Sequence, residues 1–67
     1  MQFRKGDKVT VTNPSPENAG TKGKTGVVFY PGPDADGLVT VKGIDGRVTE
    51  AVKGYRGFTP DEITRTS

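Results

Sequence analysis

The chain has no cysteine and no histidine. Together these absences exclude a disulfide framework and a zinc site of the usual ligands. They also remove the side chains most often used as catalytic base or nucleophile. Ser15 and Ser67 have no activating partner in the pattern, so no catalytic residue is expected and the chain reads as non-enzymatic. No metal site and no small-molecule cofactor are expected. A fold of this size without covalent staples fits a reducing cytoplasm. Long apolar runs are missing too. The longest, Val27 to Tyr30, has four residues, which predicts neither a signal peptide nor a membrane-spanning helix, and no membrane partner.

Space for helix is equally scarce. Ten glycines and five prolines leave no stretch free of both longer than seven residues, and these are 7–13, 47–53 and 61–67. An ordinary helix runs roughly 8 to 20 residues. Interior Gly costs about 1 kcal/mol and Pro about 3 kcal/mol. Strands of about five or six residues fit the gaps. Large apolar residues are few: Val, Ile, Leu and Phe make 14 of the 67 residues. A single domain over 1–67 is expected, with a small core that uses nearly all of them.

What is present reads as strand and turn. Asp7–Thr12 alternates, with Val9 and Val11 on one face; 38–42 and 47–52 alternate in the same way. Thr25–Tyr30 is apolar on both faces, and a short fifth strand includes Ile63. Branched Val and Thr favour strands. Asp45-Gly46 predicts a hairpin turn, 31–37 a loop, and 13–20 a longer excursion. The expected fold class is all-β, a partly open barrel of about five antiparallel strands. Its expected core is Val9, Val11, Val27, Phe29, Val39, Val41, Val48 and Ile63, with Phe3 and Phe58.

Gly23-Lys24-Thr25 matches the tail of a phosphate-binding loop. The full motif needs a Gly five positions earlier, where Asn18 stands, and a following helix, where Val27, Val28 and Phe29 announce a strand. A turn into the second strand is expected instead, with Lys22 and Lys24 exposed and Gly23 and Gly26 allowing unusual backbone or close approach. Asp34 and Asp36 are expected as solvated turn carboxylates. Asp61 and Glu62 are expected to cap the turn at Thr59-Pro60.

Three segments together resemble a KOW motif of the SH3-like small β-barrel family: Lys5-Gly6-Asp7-Lys8-Val9-Thr10-Val11, Lys22-Gly23-Lys24-Thr25-Gly26-Val27-Val28 and Val39-Thr40-Val41-Lys42. Gly57-Phe58-Thr59-Pro60-Asp61-Glu62-Ile63 is similar to the closing segment of such barrels. There a short 3₁₀ turn leads into the last strand. The resemblance spans about residues 3 to 64. It implies an SH3-like (KOW-type) barrel and three kinds of use: RNA binding, protein binding, or service as an accessory subunit of a redox complex. Fold alone does not choose among them.

Charge and aromatics narrow the choice. The formal net charge is +2, and residues 1–30 carry five Lys or Arg against two acids, which permits a nucleic-acid partner. Tyr55 lies between Lys53 and Arg56 in a glycine-flanked segment, a setting suited to stacking on a base with cations on phosphates. Lys53, Tyr55 and Arg56, with Lys22, Lys24 and Tyr30 as neighbours, are therefore the expected binding residues. The expected function is a non-enzymatic module binding RNA or DNA, or a ribonucleoprotein. The alternative is a protein-interaction module or accessory subunit, including a small phage or regulatory protein.

Overall fold

The structure is a computed structural model and describes residues 3–32 and 34–66. Pro33 of the expected loop and Ser67 lie outside the described residues. Five antiparallel strands form one sheet: β1 (Lys8–Val11), β2 (Thr25–Tyr30), β3 (Val39–Lys42), β4 (Arg56–Phe58) and β5 (Ile63–Arg65), in the order β4-β3-β2-β1-β5. A 3₁₀ helix, Pro16–Thr21, occupies the excursion between β1 and β2. A 3₁₀ turn, Pro60–Glu62, leads into β5. No described helix is long and apolar enough to cross a membrane.

The core comprises Phe3, Val9, Val11, Val28, Val39, Val41, Ile44, Phe58 and Ile63. Val27 and Phe29 do not belong to it, and the register explains why. Val9, fully buried, faces Gly26 across the β1–β2 ladder, so Gly26 and Val28 share the core face. Residues directly opposite each other lie on one side of a sheet, and a one-residue shift turns every side chain over. Gly26 is inward-facing but has no side chain, so the pattern hides its orientation. A Cβ there would lie 2.6 Å from the Lys42 carbonyl oxygen and 3.1 Å from Ile44 Cδ1. Ile44 and Val41 occupy the space that a side chain at 26 would need. Beyond Val28 the β2–β3 register shifts. Such a bulge re-aims side chains, and Phe29 and Tyr30 are both exposed.

The second correction concerns 47–52, expected as a strand after a hairpin at Asp45-Gly46. The segment is a helix, α1 (Arg47–Lys53). It fills the whole Gly/Pro-free gap between Gly46 and Gly54, whose φ angles of 86° and 84° are poorly accessible to other residues. Val48 and Val52 are four apart, a spacing that places residues on one face of a strand and of a helix alike. Arg47, Glu50, Ala51 and Lys53 are good helix formers and decide the outcome. Neither valine is core: Val48 is 78% exposed and Val52 79%. The β3–β4 connection is thus a loop and helix, and β4 begins only at Arg56.

Gly26→Ala is expected to destabilise the fold by about 1–3 kcal/mol, the usual cost of overpacking. Val48→Lys is expected to stay within about 0.5 kcal/mol of the parent, as exposed substitutions do. Urea denaturation of the two variants distinguishes this packing from the alternate one, in which the ranking is reversed.

Candidate nucleic-acid interface

The sheet face turned away from the core carries one cross-strand row. Lys8 faces Val27, and Val27 faces Lys42. The β3–β4 pairing Val41↔Arg56, continued by one residue, puts Tyr55 opposite Lys42. The row Lys8, Val27, Lys42, Tyr55 crosses most of the sheet. An open groove of about 690 Å³ follows it, with Arg47 and Glu50 of α1 on one wall and Thr25 and Thr66 among its other lining residues.

Aromatic surface borders this groove. The rings of Phe29 and Tyr55 lie 4.8 Å apart with planes tilted by 58°. They are 41% and 42% exposed. The Lys5 ammonium sits over the Phe29 ring, 5.2 Å from its centroid. A chain with so few large apolar residues leaves Phe29 outside the core, on the same surface as Tyr55.

The charge of the groove is one-sided in effect. Lys8, Lys42 and Arg47 line it and form no ion pair among the described residues. The single acid is Glu50. Its carboxylate accepts N–H bonds from Gly43 at 2.8 Å, Ile44 at 3.1 Å and Asp45 at 3.4 Å. These bonds engage Glu50 with the backbone and fasten α1 to the loop that follows β3.

A polar chain behind the sheet fixes that loop. Arg56 donates from Nε and Nη2 to the two oxygens of Asp45, at 3.0 and 2.8 Å, and from Nη1 to Asn18 Oδ1 at 2.8 Å. Asn18 Nδ2 donates to Glu62 Oε1 at 3.1 Å. Glu62, 4% exposed, also accepts from the Ser15 N–H, the Thr59 N–H and the Thr59 hydroxyl. The Thr59 N–H bond to the Glu62 carboxylate and the approach of the Glu62 N–H to the Thr59 side chain form a capping box on the 3₁₀ turn, so Glu62 fills the capping role expected of Asp61 and Glu62. No buried side-chain polar atom among the described residues lacks a partner. Burial pushes the Glu62 carboxyl up, but the Ser15 and Thr59 N–H groups, Asn18 and the Thr59 hydroxyl outweigh it and hold the pKa at about 2. The hydrogen bond from Arg56 likewise lowers Asp45 against its partial burial, and the charges of Arg56, Lys24 and Lys53 add to the effect.

The residues expected from sequence divide accordingly. Tyr55 lines the groove. Lys24 Nζ reaches the Ile44 carbonyl at 3.5 Å, next to Asp45, whose carboxyl the charges of Lys24 and Lys53 help to lower. Lys22 is exposed on the turn into β2, where Gly23 N–H donates to the Val11 carbonyl. Gly23-Lys24-Thr25 leads into a strand, as expected. Tyr30 is exposed at the end of β2 beside Gly32. Arg56 is spent on Asp45 and Asn18. Lys5, Lys8, Phe29, Lys42 and Arg47 were not among the expected residues, because only the strand register and α1 bring them together. Asp34 is a turn residue: its Oδ1 accepts from the N–H groups of Asp36 and Leu38. The chain matches no protein-family model, no curated protein and no solved structure.

Glu62 makes a pH prediction. Its carboxyl falls from an ordinary 4.5 to about 2 on folding. The stabilisation is therefore complete above about pH 4.5 and is lost as the pH falls toward 2. The shift amounts to about 3 kcal/mol. Urea denaturation at stepped pH is expected to show this loss, and Glu62→Gln is expected to remove Glu62's share of the slope and to be destabilised at pH 7.

Proposed function

We propose that this chain is a non-enzymatic nucleic-acid-binding module, and that its ligand lies along the row Lys8, Val27, Lys42, Tyr55. The observation that carries this reading is the exposed Phe29–Tyr55 pair beside a groove with three unpaired cations among the described residues. Phosphates attract Lys and Arg, and bases stack on aromatic rings. Lys24, Lys53 and Lys22 extend the positive edge beyond the groove. Assignment to the KOW-type SH3-like family, with barrel closure and a cytoplasmic location, belongs to the same reading. The 3₁₀ turn Pro60–Glu62 entering β5 supports it.

One feature favours a second reading, a protein partner. Val48 and Val52 stand nearly free on α1, and exposed apolar surface marks interaction sites. Such contact would bury valines and depend weakly on salt.

Amide shifts in an NMR titration with mixed oligonucleotides separate the readings. Changes are expected at Lys8, Val27, Lys42, Arg47 and Tyr55, and not at Pro16–Thr21. The double variant Lys8→Ala, Lys42→Ala is expected to bind more weakly and with less salt dependence. Absence of binding tighter than about 100 μM at low salt, weaker than ordinary non-specific association, removes the nucleic-acid reading.

A further inference from the structure

We infer that the ligand of this face is an unpaired strand, with a base on the Phe29–Tyr55 pair and phosphates on Lys8, Lys42 and Arg47. The inference rests on the nucleic-acid reading and narrows it to one class of substrate.

Three observations carry it. First, the available surface is aromatic. A base inside a duplex already stacks on both of its faces and offers neither to a protein ring, whereas an unpaired base offers both. Phe29 and Tyr55 are held as a tilted pair at the rim of the groove, with Lys5 on the Phe29 ring. Second, the cations are spread for a thin polyanion. Lys8 and Lys42 flank Val27 on neighbouring strands, so their backbones lie two strand spacings apart, about 10 Å. Arg47 joins them from α1. The groove between them, about 690 Å³, has the size of a pocket for one small ligand.

Third, the described residues offer no long polar helix to enter a duplex groove. A major groove takes a helix or a two-stranded ribbon carrying polar side chains to the base edges. The described α-helix has seven residues and presents Val48 and Val52 to solvent. The groove is instead a recess, which receives a projecting base rather than projecting into a groove.

The test compares a fluorescein-labelled single strand of mixed sequence, as DNA and as RNA, with the blunt duplex of the same sequence, by anisotropy at several salt concentrations. The single strand is expected to bind at least about tenfold tighter than the duplex, and the tighter of the two strands identifies the sugar. Three phosphate contacts give a slope of log K against log salt of about −2, and Lys42→Ala makes it shallower by about 0.7. Tyr55→Ala is expected to weaken the single strand about tenfold or more, and Tyr55→Phe, which keeps the ring, to restore it. A Tyr30→Phe background leaves Tyr55 the only tyrosine in a chain without tryptophan. Its emission is then expected to fall as the strand binds. Equal affinity for strand and duplex, with Tyr55→Ala without effect, overturns the unpaired-strand inference and leaves the nucleic-acid reading standing. No binding of either at low salt overturns both.

Discussion

A buried carboxylate with no counter-charge touching it is the point on which this small fold turns. Glu62 is taken out of water, which costs several kcal/mol for an ion. Four hydrogen bonds offset that cost, two of them from backbone N–H groups of segments far apart in the chain. Ser15 comes from the excursion after β1, and Thr59 from the segment after β4. The carboxylate therefore closes the chain on itself where the apolar core is too small to do so alone. Asn18 passes the connection to Arg56, and Arg56 passes it to Asp45. The loop that carries α1 is thus tied to the closing 3₁₀ turn through side chains alone.

This arrangement separates the supporting face of the sheet from the groove face. On the core side, every buried side-chain polar atom among the described residues has a partner. On the opposite side, aromatic rings and ammonium groups remain open. Arg56 opens β4 opposite the buried Val41, and Tyr55, the residue before it, lines the groove. One is structural and the other faces the groove. The Asn18 amide also reaches the Gly57 carbonyl of β4, at 3.4 Å, so part of this edge strand is covered, a common defence against unwanted pairing.

Much of the sheet was legible. Alternation in 7–12 and 38–42 located β1 and β3, and Thr25–Tyr30 coincides with β2. Ile63 marked β5, and Thr59 to Glu62 announced its capping. The orientation of β2 was not legible, because Gly26 occupies a core position without a side chain and Ile44 fills it from a loop. Nor was α1, since two valines four apart satisfy both periods. Of the site, Tyr55 was legible from its cationic setting. Lys8, Lys42 and Arg47 were not, because strand pairing joins residues 34 positions apart in sequence between Lys8 and Lys42. Arg56 was expected among the binding residues, and its pairing was not legible because its partners lie 11 and 38 positions away.

The helix α1 contributes no buried residue, and a seven-residue helix is marginal by itself. Its attachment is polar, through one carboxylate and two flanking glycines. Segments with few buried apolar contacts open at a small fraction of the global unfolding free energy. The α1 segment thus belongs to a unit that opens below the global unfolding free energy, while the buried Ile44 anchors the loop before it to the core. One wall of the groove is in that unit and its floor is not. The recess accordingly has a rigid base and an adjustable side, and occupancy by any ligand that touches both would transfer stability from the sheet to the helix.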